Sequence, residues 1–120
     1  MTAVSAVADI EIEMQAMVET LRAGRIDEAE AMFQRLARLD ARVADMLLFP
    51  VLFMIQRHQP LDALRFVDAQ PAGRCPELRA LCLKVLGDPT WHGEAMALVE
   101  SPDPGIAHAM RELLELPPRP

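Results

Sequence analysis

The chain has few of the residues that favour β-sheets. Its 120 residues contain no Tyr, one Trp and four Phe. Aromatic and β-branched residues favour strands, whereas Ala, Leu and Met, which are abundant here, favour helices. The composition therefore predicts an all-α protein. Because 52% of the residues are apolar, the chain can bury a core, and intrinsic disorder is excluded for the chain as a whole.

Positive charge and long apolar runs are also scarce. The formal net charge is -6, and the Lys and Arg residues are scattered, which excludes nucleic acid and an anionic membrane surface as partners. The longest apolar stretch, Met46–Ile55, is interrupted by Pro50 and has about half the length of a membrane span. The segment Met1–Ile10 lacks the basic and apolar regions of a signal peptide. We therefore expect a cytoplasmic protein without a membrane span.

Residues suited to catalysis or metal binding form no motif along the chain. The only serines are Ser5 and Ser101, both near expected helix ends, and there is no P-loop or dinucleotide-binding glycine motif. The pair His92 and Glu94 has the spacing found in zinc deaminases, but no Pro-Cys-x-x-Cys follows it. We predict no catalytic residue, no cofactor and no metal site, and hence no enzyme.

The two cysteines have a structural explanation. Cys75 and Cys82 are seven residues apart, which on a helix places them on one face about two turns apart, too far for a disulfide. We expect free, buried thiols in a reducing compartment.

Apolar spacing, glycines and prolines predict about six to seven helices in one domain, residues 1–116, with a Pro-rich disordered tail at 117–120. The predicted helices span about Ala3–Ala23, Asp27–Leu39, Asp40–Arg57, Pro60–Pro71, Cys75–Gly87 and Asp88–Glu100, and a last one begins within Ser101–Gly105. Pro50 predicts a kink or a break in the third helix. Three of the side chains expected on inner faces are Leu39, Leu61 and Val85.

Two stretches, Leu21–Phe33 and Ile55–Val67, repeat each other at an offset of 34 residues. The corresponding pairs are Gly24 and His58, Ala29 and Ala63, and Phe33 and Val67. Thirty-four residues is the tetratricopeptide period, in which stacked helical hairpins bury each other's apolar faces. The same register pairs Met17 with Val51, both larger than the small residue expected there. A third unit around Gly87 is degenerate, and a plain α-bundle is the alternative.

In a tetratricopeptide-like stack, the first helix of each hairpin lines a concave surface. Methionine and leucine make such a surface adaptable and suited to an amphipathic helix of another protein. The candidate groove residues are Met14, Val18, Leu21, Leu48, Leu52, Ile55, Leu81 and Val85. Each of them could instead be an ordinary core residue.

A second resemblance lies in the segment Ala80–Trp91, which contains the string Leu86-Gly-Asp-Pro-Thr-Trp91. This segment resembles the Hrp-type accessory proteins of bacterial type III secretion (the HrpB/HrpK family), and the upstream stretch Gly24–Asp40 also suits them. The resemblance covers roughly Leu21 to Val99. It implies a small repeat-like component of the secretion apparatus without enzymatic activity.

Two functions are compatible with this resemblance. The first is a chaperone or assembly factor that holds a small helical needle or pilus subunit, or a co-chaperone, in its apolar groove. The second is a self-associating structural component that acts outside the cytoplasm after export through the type III machinery.

Overall fold

The computed structural model describes residues 3–71 and 74–117, and within these two ranges the regular structure is entirely helical. The eight helices are α1 (Ala3–Arg22), α2 (Ile26–Leu39), α3 (Ala41–Ala44), α4 (Leu48–Gln56), α5 (Pro60–Asp68), α6 (Pro76–Leu86), α7 (Thr90–Leu98) and α8 (Pro104–Leu113). The all-α fold class is confirmed. Of the predicted tail, residues 118–120 lie outside the described residues.

The chain divides into two compact units, Met1–Arg57 and His58–Pro120. We call them unit 1, with α1 to α4, and unit 2, with α5 to α8. The single domain expected over residues 1–116 stays a prediction.

One predicted helix, Asp40–Arg57, is two helices, which raises the number to eight. The break lies between Ala44 and Leu48, just before the proline that predicted it. Pro50 then occupies the first turn of α4, where the backbone N–H it lacks would have no partner within the helix. Asp40 caps α3, because its carboxylate accepts the backbone N–H of Arg42 at 2.9 Å. Of the two outcomes predicted from Pro50, a kink or a break, the structure therefore shows a break in the predicted helix Asp40–Arg57.

The core of unit 1 forms where α2 packs against α1, α3 and α4. Its buried members are Met17, Leu21, Ala29, Phe33, Leu36, Val43, Phe49 and Phe53. The Phe33 ring lies 5.7 Å from that of Phe49 and 5.8 Å from that of Phe53, between ring centroids. These three rings join the middle of α2 to one face of α4, a geometry in which aromatic pairs attract each other.

An arginine fork also ties α4 to α2. Arg57, which follows α4, donates from Nη1 and Nη2 to the two carboxylate oxygens of Glu30, both at 3.0 Å. Its Nη2 also donates to Asp27 Oδ1 at 2.7 Å. These hydrogen bonds, that to Glu30 first, raise the pKa of Arg57 above its ordinary value. The two carboxylates in the first turns of α2 are therefore neutralised by an arginine in addition to the helix dipole.

In unit 2, α6 is the central helix and contacts α5, α7 and α8. One buried cluster consists of Ala80, Ala95, Val99 and Met110. Polar contacts join the same helices. Arg79 on α6 reaches Asp68 on α5 and Glu94 on α7, each at 3.1 Å. Lys84 Nζ donates to the carbonyl of Leu113 at 2.8 Å, which satisfies an otherwise unpaired group at the end of α8.

The positions paired by the 34-residue offset have matching environments. Gly24 has φ +82° and His58 has φ +61°, both in the left-handed region. The small residues Ala29 and Ala63 are fully buried, as are Met17 and Val51 at the other paired position, and the larger Phe33 and Val67 are also buried. The equivalence inferred from sequence is therefore matched in backbone conformation at Gly24 and His58 and in burial at the other three pairs.

His58 holds a conformation that costs an L-residue with a Cβ atom about 1–2 kcal/mol. We expect His58→Gly to raise the free energy of unfolding by about 1 kcal/mol, because glycine removes that cost. Gly24→Ala should lower the free energy of unfolding by about 1 kcal/mol. Because an added Cβ at Gly24 would have no atom within 4 Å, this loss would come from the backbone conformation and not from a steric clash. Urea unfolding followed by circular dichroism measures both. His58→Ala is the control and should change little; a less stable His58→Gly protein would contradict the assignment.

Three side chains predicted to lie on inner faces are exposed, and the prediction of an inner position was wrong; Val85 remains a candidate groove residue. Leu39 is 68% exposed, Leu61 48% and Val85 45%. Each lies in the terminal turn of its helix, at the end of α2, the start of α5 and the end of α6. A terminal residue can share a face with buried ones and still have no neighbouring element beyond it to cover its side chain.

Candidate functional site

Two of the candidate groove residues, Met14 and Val18, lie together on the surface of α1. Both are partly buried and pack against the core of unit 1. With Gln15, Glu19 and Arg22 they line an open hollow of about 300 Å³. Residues four apart on a helix are neighbours on one face, which explains why the hollow follows α1 for two turns. The predicted groove therefore has a concave surface at Met14 and Val18.

Leu21 does not contribute to that surface. Its side chain is 4% exposed and belongs to the core of unit 1. The apolar spacing of α1 grouped Leu21 with Met14 and Val18, but in the structure Leu21 is buried in the core whereas the other two are only partly buried. For Leu21, of the two roles left open by the sequence, the structure shows core.

The candidates on α4 differ in exposure. Leu48 is 42% exposed, Leu52 is partly buried and packs against the core of unit 1, and Ile55 is partly buried. Phe49 and Phe53 anchor one face of α4 in the core of unit 1. Of the other apolar side chains of α4, some contact the protein and some are exposed to solvent. A helix that is apolar all round and not fully enclosed offers such side chains to a partner.

The two remaining candidates, Leu81 and Val85, belong to α6 in unit 2. They are one helical turn apart and so share a face. Leu81 is partly buried and Val85 is exposed. Whether a partner contacts them stays a prediction.

One exposed apolar side chain on α1 was absent from the predicted groove. Ile12 is 64% exposed, although isoleucine is among the residues most often buried. It is out of phase with the buried residues Met17 and Leu21, at helix positions that face away from them. An isoleucine between Glu11 and Glu13 was the signal that could have drawn attention to it.

Four residues of the string Leu86–Trp91, which carries part of the family resemblance, have a structural role: Gly87, Asp88, Thr90 and Trp91. Gly87 has φ +77°, and the N–H of Asp88 donates to the carbonyl of Leu83 at 2.9 Å, the pattern of a Schellman cap. The Asp88 carboxylate accepts the backbone N–H of Thr90 at 2.9 Å and its hydroxyl at 2.7 Å. These bonds lower the pKa of Asp88 and fix the start of α7.

Trp91 completes this turn. It packs against the cluster formed by α6, α7 and α8, and Lys84 Nζ lies 4.7 Å from the centroid of its ring, a cation–π distance. The tryptophan thus fixes the turn between α6 and α7 to the core.

Titratable groups are dispersed over the described residues. His92 is exposed beside Trp91, His108 pairs with Glu112 at 3.0 Å, and no three His, Cys, Asp or Glu side chains in residues 3–71 and 74–117 come together as metal ligands would. Burial raises the pKa of the Cys82 thiol to about 11, with the nearby Asp68 adding to the effect. A protonated, buried thiol is a poor nucleophile.

None of the helices in the described part of the chain combines the length and the apolar character that crossing a membrane requires. Comparison of the chain with protein-family models, with curated proteins and with solved structures gave no match.

Proposed function

We propose that this protein is a non-enzymatic scaffold that binds a helical segment of another protein. The observation that carries the proposal is the agreement between the repeated positions, from Gly24 and His58 to Phe33 and Val67. Helical-hairpin repeats of this length are typically binding scaffolds. The hollow at Met14 and Val18 and the exposed Leu48 supply apolar surface of the kind an amphipathic helix covers.

We further propose that the partner is a small helical subunit of a bacterial type III secretion system, such as a needle or pilus subunit or a co-chaperone. This part rests on the resemblance of Ala80–Trp91 to Hrp-type accessory proteins. A scaffold that covers an apolar helix face of such a subunit in the cytoplasm would prevent its premature polymerisation. Burial of that face would supply affinity at about 25 cal/mol per Å², less the cost of ordering both partners.

Co-expression tests the proposal. Together with the small helical subunits of such a system, the chain should form a soluble heterocomplex that elutes as one species in size-exclusion chromatography with light scattering. Leu48→Asp should dissociate the complex. It should not unfold the scaffold, because Leu48 is 42% exposed. Leu61→Asp is the matched control, since Leu61 is 48% exposed and lies outside the predicted groove, and it should leave the complex intact.

Two results would contradict the proposal. One is a subunit that stays soluble and monomeric without this chain. The other is equal loss of the complex in Leu48→Asp and Leu61→Asp. Equal loss would show that the substitutions act through the solubility of the scaffold and not through the predicted groove.

The same light-scattering experiment on the chain alone distinguishes the proposed scaffold from the alternative, a self-associating structural component. A self-associating structural component would form defined oligomers through side chains such as Leu39, which is exposed at the end of α2. A monomer confined to the cytoplasm excludes that function.

A further inference from the structure

The segment that carries the hollow is strongly acidic. Residues Asp9–Glu30 include seven carboxylates and two arginines in a chain of net charge -6. Most of the excess negative charge of the protein therefore lies on α1 and the first turns of α2. A surface of one sign attracts the opposite sign and raises the rate at which such a partner associates.

Of these carboxylates, Glu19 lines the hollow and Glu11 lies about two turns before it on the same face of α1; neither is neutralised by another described residue. Glu13 pairs with Arg35 Nη2 at 3.2 Å, whereas Glu11 and Glu19 form no ion pair with any residue in 3–71 and 74–117. Both are exposed. They remain available to a cation supplied by a partner.

The helix geometry places these carboxylates in a row beside the apolar side chains of Met14 and Val18. Residues four apart form one row on a helix surface. One row consists of Glu11, Gln15 and Glu19, and the neighbouring row of Met14, Val18 and Arg22. The groove between two such rows is where a ridge of side chains from a second helix packs. A helix seated there contacts methionine and valine on one side and meets carboxylates on the other.

We propose that the hollow on α1 docks an amphipathic helix whose apolar ridge is flanked by Lys or Arg. This inference rests on the proposed function and states the chemistry of the partner. Lys and Arg can lay their apolar stems on Met14 and Val18 while their charged ends reach Glu11 and Glu19. A second copy of α1 is a poor occupant, because it would bring the same carboxylates to the contact.

Binding of two synthetic peptides tests the proposal. Both are helices of about 18 residues, or roughly five turns, with an identical leucine ridge flanked by Lys in one peptide and by Glu in the other. Fluorescence anisotropy with the full chain should show the Lys peptide binding about tenfold more tightly at ~50 mM salt. The difference should largely disappear at ~500 mM salt, where exposed charges are screened.

Charge reversal then locates the site. Glu11→Lys/Glu19→Lys should abolish or invert the preference for the Lys peptide, and Arg22→Glu, which replaces a cation lining the hollow by a carboxylate, should strengthen Lys-peptide binding several-fold. The control Glu112→Lys/Glu115→Lys changes the net charge equally but lies at the end of α8 in unit 2, and it should preserve the preference. Circular dichroism confirms that each variant is folded.

Each contrary result overturns the inference. Absence of binding by both peptides excludes the hollow as a helix-docking site. Equal binding of the two peptides excludes the role assigned to the acidic residues. If Glu112→Lys/Glu115→Lys has the same effect as Glu11→Lys/Glu19→Lys, the preference for the Lys peptide comes from the net charge of the protein and not from this site. A heterocomplex with a secretion subunit that survives Glu11→Lys/Glu19→Lys overturns this inference and leaves the proposed function standing, whereas absence of any heterocomplex counts against the function itself.

Discussion

Replacing Phe53 by Ala should lower the free energy of unfolding of unit 1 by about 3–5 kcal/mol. Phe53 is 2% exposed and among the largest fully buried side chains, and its ring packs edge-to-face on Phe33. Removal leaves a cavity between α2 and α4 and also removes the aromatic contact. Because a domain of this size is stable by only about 5–15 kcal/mol in total, the variant should be close to unfolding at physiological temperature.

Urea unfolding can separate the two units in this experiment. Circular dichroism reports the helices of both units, while fluorescence of Trp91, the single tryptophan, reports unit 2. Leu48→Ala on the same helix is the control; it should cost less than about 1 kcal/mol, because its side chain is partly in water. Equal losses from Phe53→Ala and Leu48→Ala would contradict the assignment of Phe53 to the core.

Enlarging the small residue of each repeat should also be strongly destabilising. Ala29 and Ala63 are both fully buried, so Ala29→Leu and Ala63→Leu insert three carbons where there is no space. Overpacking of this kind costs about 1–3 kcal/mol. Similar losses at the two positions are expected if they perform the same packing role, which is what the 34-residue offset predicts.

Exposed alanines provide the controls for helix propensity. Ala31 on α2 and Ala97 on α7 are exposed, and their replacement by Leu should change stability by no more than about 0.5 kcal/mol. Circular dichroism follows Ala29→Leu and Trp91 fluorescence follows Ala63→Leu. A neutral result at Ala63 with a large loss at Ala29 would show that the second unit does not pack as the first does.

Helix positions followed from the sequence wherever local chemistry decides them. Asp40 and Asp103 accept backbone N–H groups at the starts of α3 and α8, and Gly24 and Gly87 end α1 and α6 in the left-handed conformation. Such caps involve residues within about four positions of each other. They can be recognised from a single sequence because the interacting groups are neighbours along the chain.

The exposure of the candidate groove residues did not follow from the sequence. Periodicity grouped Met14, Val18 and Leu21 on α1 correctly as apolar, but it could not indicate which of them α2 covers. Leu21 is core, whereas the other two line a hollow. The periodicity of one helix specifies a face, while burial depends on the position and length of the helices packed against it.

The sequence by itself determined that this protein is all-helical, where most of its helices begin and end, and which positions of the two repeated stretches correspond. Those properties depend on backbone propensity, caps and spacing, which act over a few residues. Only the tertiary structure decided that Leu39, Leu61 and Val85 are exposed, that Leu21 is buried, and that Met14 and Val18 line a hollow together with Glu19. Those properties depend on which side chains and helices come near each other, and that is settled by packing between segments distant in the chain.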